Sequence, residues 1–77
     1  MSVKFYSTPT CGYCNIAKKY LRDRGIKYTE YNVAADHRRA MEMIKKSGQQ
    51  GVPVIDFNNN IVIGFNREKI DRLIARN

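Results

Sequence analysis

The chain opens with β-formers in Val3-Lys4-Phe5-Tyr6-Ser7, which predict a first strand, and Thr8-Pro9-Thr10 ends it because a proline and short hydroxyl side chains break an extended run. From Tyr13 to Arg24 the period changes. Ile16, Ala17, Tyr20 and Leu21 recur at helical spacing, Lys18, Lys19, Arg22 and Asp23 fill the other side, and Gly25 supplies a stop. Ile26 to Val33 returns to loose alternation, with Tyr28, Tyr31 and Val33 favouring a second strand. Strand, helix and strand in succession imply a parallel, right-handed βαβ unit.

Asp36 is a natural N-cap for a second helix running to Ser47, with Ala40, Met43 and Ile44 as its apolar stripe, the methionines acting as core filler, and Gly48 as its end. Val52 to Phe57 reads as a strand, Asn58-Asn59-Asn60 as a turn, and Ile61 to Ile63 as the return strand of a hairpin. Asn66 caps a last helix whose first turn holds Glu68 and whose buried face is Ile70, Leu73 and Ile74. The order β-α-β-α-β-β-α predicts an α/β fold with a four-stranded mixed sheet flanked by three helices.

At 77 residues the chain fits one domain, residues 1–77, without linker or repeat. The longest apolar runs, such as Ile61-Val62-Ile63, fall far short of the roughly 20 residues a membrane helix needs. The first residues lack the basic and apolar regions of a secretory leader, so the expected compartment is the cytoplasm, where thiols are reduced. The formal charge of +7 favours anionic partners through long-range steering. The cations are spread along the chain, from Lys18 and Arg22 through Arg38 and Lys45 to Arg67 and Arg76, on polar helix faces and not in a binding stripe. No nucleic-acid signature accompanies them, and a monomer that binds neither nucleic acid nor membrane is the expectation.

The candidate chemistry sits at Cys11 and Cys14, the chain's two cysteines, at the junction of a strand and the following helix. A loop that short constrains the unfolded chain little, so the pair is not a stability staple. A helix start offers unpaired N–H groups and a positive dipole end, which stabilise a thiolate at Cys11, while Cys14 lies one turn on and more shielded. Thiol exchange needs this asymmetry: Cys11 attacks a disulfide and Cys14 resolves the mixed disulfide. The alternative is metal binding. A closed zinc site wants about four ligands, and the one histidine, His37, falls at a distant helix start, so a thiolate site would need a second chain. Without a histidine near Cys11, acyl transfer is not indicated.

The order of elements, Cys11-Gly12-Tyr13-Cys14 and Gly51-Val52-Pro53 together resemble the glutaredoxin family of the thioredoxin superfamily over nearly the whole chain. The resemblance implies the thioredoxin-like fold and a cis proline at Pro53 beside the cysteines. It also implies that Val52 pairs with an extended substrate peptide or glutathione. Gln49, Tyr13, Phe65 and Asn66 join Val52 and Pro53 as its substrate-binding candidates, and Gln49, Lys18 and Arg67 as recruiters of glutathione carboxylates. Three departures accompany it. Gly12 stands where the family commonly has proline, a change associated in relatives with bridging an iron-sulfur cluster between two subunits. Thr8 stands where a lysine meets glutathione, and Gly64-Phe65-Asn66-Arg67-Glu68 puts Arg67 in place of an aspartate that meets its γ-glutamyl end. Gly64-Phe65 followed by a basic residue looks like the redoxins that serve ribonucleotide reductase and take electrons from thioredoxin reductase.

The implied function is a dithiol-disulfide oxidoreductase acting on protein disulfides or glutathionylated proteins, without a tightly bound cofactor, reduced by glutathione as co-substrate or by thioredoxin reductase. The alternative is a dimeric carrier that holds an iron-sulfur cluster or zinc through Cys11.

Overall fold

A computed structural model describes residues 2–76. Its elements are β1 (Val3–Ser7), α1 (Gly12–Asp23), β2 (Thr29–Asn32), α2 (His37–Ser47), β3 (Val54–Phe57), β4 (Asn60–Ile63) and α3 (Arg67–Ala75). The sheet has four strands in the order β2-β1-β3-β4. β1 runs parallel to β2 and antiparallel to β3, and β3 and β4 form an antiparallel hairpin, so the mixed sheet expected from the element order is present.

Alternation along the strands divides the core in two. Phe5, Ile55, Phe57 and Val62 meet Cys14, Ala17 and Leu21 of α1 and Ile70 and Leu73 of α3 on one face. Tyr6 and Val54 meet Met43 of α2 on the other. That second face also buries charge. Asp56 is 3% exposed and its Oδ2 accepts from Lys46 Nζ at 2.6 Å, while the same ammonium donates to the Tyr6 hydroxyl at 3.2 Å. The Tyr6 hydroxyl donates in turn to Glu42, which Arg39 also holds. A buried carboxylate is tolerated here because each of its oxygens is hydrogen-bonded, Oδ1 accepting the Asn59 backbone N–H at 2.6 Å.

Several boundaries differ from the sequence expectation, each for a local reason. α1 begins at Gly12, before Tyr13, because Cys11 acts as its N-cap. β2 begins at Thr29 and not Ile26: the Ile26 N–H is spent on the Leu21 carbonyl at 2.9 Å, closing the end of α1. β3 begins at Val54 because Pro53 has no N–H to give a ladder. Asn60 belongs to β4, paired with Phe57, which leaves a two-residue turn of Asn58 and Asn59 at φ 50° and 75°. Of the methionines, Met43 is core filler, Met41 is 51% exposed on α2, and Met1 lies outside the described residues. Ile16 also leaves the apolar stripe of α1, being exposed. Among the described residues no helix is long and apolar enough to cross a membrane.

Candidate redox site

β1 delivers the chain to the end of the sheet at Ser7, and the Thr8-Pro9-Thr10 loop turns it into α1, the Cys11 N–H donating to the Thr8 carbonyl at 3.3 Å. Cys11 and Cys14 are joined as a disulfide at this turn. Cys11 Sγ accepts the Cys14 backbone N–H at 3.1 Å, the place an oxygen side chain takes at an ordinary N-cap. The first turn of α1 carries no acidic residue, so no side-chain carboxylate competes for the N–H groups at the helix start. The two sulfurs differ in access. Cys14 is wholly buried in the core, whereas Cys11 is partly exposed at its edge. The lone His37 is the first residue of α2 and exposed.

Val52-Pro53 is a cis peptide, as the resemblance implied, and the Pro53 carbonyl accepts the Gly64 N–H at 2.8 Å, so the residues before β3 and after β4 are held together. Gly64 has φ of +74°, a conformation that side chains disfavour, and turns the chain so that Phe65 packs edge-on against Tyr20 of α1, 5.6 Å between ring centroids. Tyr13, Val52, Pro53, Ile63, Gly64 and Phe65 line an open cleft of about 410 Å³. Four of the six sequence-predicted substrate residues, Tyr13, Val52, Pro53 and Phe65, therefore share one surface, and Tyr13, between the cysteines, connects it to the disulfide. Tyr13 is 67% exposed, which leaves its ring available to a ligand.

The other two candidates have structural roles. Gln49 Oε1 accepts the Gly51 N–H at 2.6 Å and its Nε2 donates to the Gly51 carbonyl at 3.0 Å, a clasp that braces the segment before Val52. A Cβ at Gly51 would stand 2.8 Å from that Gln49 oxygen, so any side chain there would push the clasp open. Asn66 caps α3, its Oδ1 accepting the Lys69 N–H at 3.0 Å. The cationic candidates are also engaged: Lys18 Nζ lies 2.9 Å from Glu30 Oε2, and the Arg67 guanidinium sits 5.4 Å from the centroid of Tyr20. Arg67 and Phe65 line a second groove, with Ile16, Lys19, Tyr20 and Asp23. Ile63 was missed by sequence reasoning as a cleft residue. The sequence marks it only as part of the return strand of the hairpin, and the edge strand turns it outward, 51% exposed.

A family model for glutaredoxin matches residues 3–62. A glutaredoxin-like 8.6 kDa protein, uncharacterized and encoded in a rubredoxin operon of Clostridium pasteurianum, is 46% identical over 74 residues, covering 96% of this chain and 99% of that protein. Glutaredoxin 3 of Escherichia coli is 37% identical over 54 residues, 70% of this chain and 65% of its own length. Among solved structures, the NrdH-redoxin of Escherichia coli superposes with a TM-score of 0.81 at 26% identity and 95% coverage of both chains. The thioredoxin-like protein BC3987, as its T8A mutant, reaches a TM-score of 0.90 at 24% identity, covering 96% of this chain and 95% of its own, a likeness of fold. A thioredoxin-like sheet, a Cys-x-x-Cys pair within disulfide distance and these similarities support thiol-disulfide redox function, and the chain belongs to the glutaredoxin family, within the thioredoxin superfamily.

Proposed function

We propose that this protein is a dithiol-disulfide oxidoreductase of the cytoplasm that reduces protein disulfides or glutathionylated proteins through Cys11 and Cys14. The observation that carries the reading is the unequal exposure of the two sulfurs: Cys11 is reachable at a helix N-cap, Cys14 is wholly buried. In the reduced protein the N–H groups that open α1 favour negative charge on Cys11 Sγ. That thiolate attacks one sulfur of the substrate disulfide, forming a Cys11–substrate bond and releasing the other sulfur as a thiolate that takes up a proton. Cys14, deprotonated, then attacks Cys11 Sγ. The Cys11–Cys14 bond forms, the substrate's second sulfur leaves with the electron pair and is protonated, and the substrate has gained two electrons. A reductant must return them. Tyr13, Val52, Pro53 and Phe65 form the surface on which the substrate segment rests during both attacks.

The electron donor is a thioredoxin-reductase type flavoprotein or glutathione, with no tightly bound cofactor on this chain. Two features favour the flavoprotein. Thr8 brings no charge to the loop before Cys11, and the Lys18 ammonium is held by Glu30 instead of standing free for a carboxylate. The related NrdH-redoxin is a glutaredoxin-like protein described by its thioredoxin-like activity profile. The test is NADPH consumption in parallel with glutathione plus glutathione reductase and with thioredoxin reductase alone, using a protein disulfide as acceptor. Turnover with the flavoprotein, abolished by Cys11→Ser, is the expected result. Activity retained in the Cys11→Ser variant overturns the mechanism.

A further inference from the structure

Ser7 is the last residue of β1 and is 2% exposed, yet it is polar, and its hydroxyl needs a partner inside the fold. The partner comes from β2: Ser7 Oγ donates to Glu30 Oε2 at 2.7 Å. Register explains the meeting, since Glu30 lies opposite Phe5 in the parallel pair and so faces the same side of the sheet as Phe5 and Ser7. The same carboxylate oxygen accepts from Lys18 Nζ at 2.9 Å. Lys18 lies four residues beyond Cys14, on the same face of α1 and one turn further from the helix start. The Ser7 carbonyl is held as well, by the Val33 N–H at 2.9 Å.

Residues 8–17 thus lie between two anchors joined through one carboxylate, and this interval contains the whole redox loop with Cys11 and Cys14. We propose that Glu30 is a positioning residue for the redox pair: by tying Ser7 to Lys18 it fixes where the strand end that leads to Cys11 stands relative to the helix turn that carries Cys14. The clamp matters for the second half of the cycle. In attack on a substrate, Cys11 is accessible and the incoming sulfur is mobile. In resolution, buried Cys14 must reach Cys11 Sγ with little freedom to search, so its rate follows the effective concentration of one sulfur at the other. Loosening the span lowers that concentration, which slows ring closure and makes the Cys11–Cys14 disulfide easier to reduce. Glu30 keeps the negative charge that the clamp needs, because the Ser7 hydroxyl, then the Lys18 ammonium, hold its carboxyl below the ordinary value.

This inference rests on the redox reading above, and the experiment separates the two. The wild-type protein is equilibrated with dithiothreitol redox buffers and its free thiols are counted by mass after alkylation. It is compared with Glu30→Ala, Glu30→Gln and Lys18→Met, and with Lys19→Gln as a control at the exposed Lys19–Asp23 pair outside the clamp. Stopped-flow measurements on each protein then resolve formation of the mixed disulfide from its closure by Cys14. Glu30→Ala is expected to lower the equilibrium constant for disulfide formation about tenfold, about 30 mV for a two-electron couple. Closure should slow by a similar factor while attack by Cys11 changes less than threefold. Glu30→Gln keeps an acceptor for Ser7 but not the charge that holds Lys18, so it should recover only part of the loss, and Lys18→Met should fall between Glu30→Ala and wild type. A merely structural role would lower thermal stability without separating closure from attack. Closure and equilibrium constant both within twofold of wild type in folded Glu30→Ala overturn the clamp. If Glu30→Ala does not fold, the same result in Lys18→Met overturns it. A wild-type protein that fails to titrate as a two-electron couple overturns the redox reading itself, and the clamp with it.

Discussion

Replacing Asp56 tests how the sheet tolerates a carboxylate at 3% exposure. Its Oδ2 holds Lys46 at 2.6 Å and its Oδ1 holds the Asn59 N–H at 2.6 Å, so Asp56→Ala loses both contacts and Asp56→Asn keeps an acceptor for the second. A hydrogen bond to a charged group contributes about 1.5–3 kcal/mol, and a neutral one about 1 kcal/mol. The first figure belongs at its lower end, because the Lys46 side chain is 24% exposed and its ammonium can swing toward water. Asn59 sits in an exposed turn, so its N–H can also hydrate. Asp56→Asn is therefore expected to cost about 1.5 kcal/mol and Asp56→Ala about 2.5 kcal/mol. Lys46→Met should cost more than Asp56→Asn, since it leaves a carboxylate at 3% exposure without its counter-charge, a change worth about 3 kcal/mol. Against a total of about 4–12 kcal/mol for a chain of this length, each is large. Urea unfolding of the oxidised protein, followed by far-ultraviolet circular dichroism, reads these as midpoint shifts at about 1 kcal/mol per M. Equal midpoints for Asp56→Asn and Asp56→Ala refute the role given to the Asn59 contact. A Lys46→Met protein no less stable than wild type refutes the claim that the ammonium is what makes the buried carboxylate tolerable.

Tyr6 is pushed up to about 12 from an ordinary 10.0, first by burial and then by its bond to Glu42, with Lys46 opposing. Its neutral form therefore contributes stability that is complete below the ordinary value and lost as pH rises through about 12. A spectrophotometric titration should show a late ionisation that vanishes in Tyr6→Phe. Glu30 is held below its ordinary 4.5 chiefly by Ser7, and Glu42 below the same value chiefly by Tyr6. Both depressed carboxyls contribute stability that is complete above the ordinary value and lost as pH falls through their folded values. Urea midpoints measured from about pH 6 to 3 should decline less steeply in the Glu30→Gln, Glu42→Gln double variant than in wild type. Asn59→Gly places glycine at the φ 75° position of the two-residue turn and should stabilise the hairpin by about 0.5 kcal/mol, read as a rise in thermal midpoint.

The element order, the CxxC at the strand-helix junction and the identities of Cys11 and Cys14 can be read from the chain alone, because these depend on local periodicity, caps and spacing. That the helix opens at the cysteines was legible, but the Cys11 sulfur taking the capping place lay outside the usual set of oxygen side chains. The sharing of one cleft by Tyr13, Val52 and Phe65 was legible only through the family resemblance, since the residues are far apart in the chain and meet through the hairpin and the turn at Gly64. The cap that Asn66 places on α3 was legible locally, but only the folded chain decided what Gln49 and Lys18 do. Each of these two is a polar residue whose partner is set by how the backbone folds back, to Gly51 and to Glu30. Polar side chains carry no periodic signal of their contacts, and a hydrogen bond exists only once donor and acceptor are brought within about 3 Å. The joining of Ser7, Glu30 and Lys18 around the redox loop is of that kind: strand pairing sets Glu30 of β2 beside Ser7 of β1, and α1 brings its lysine to the same carboxylate.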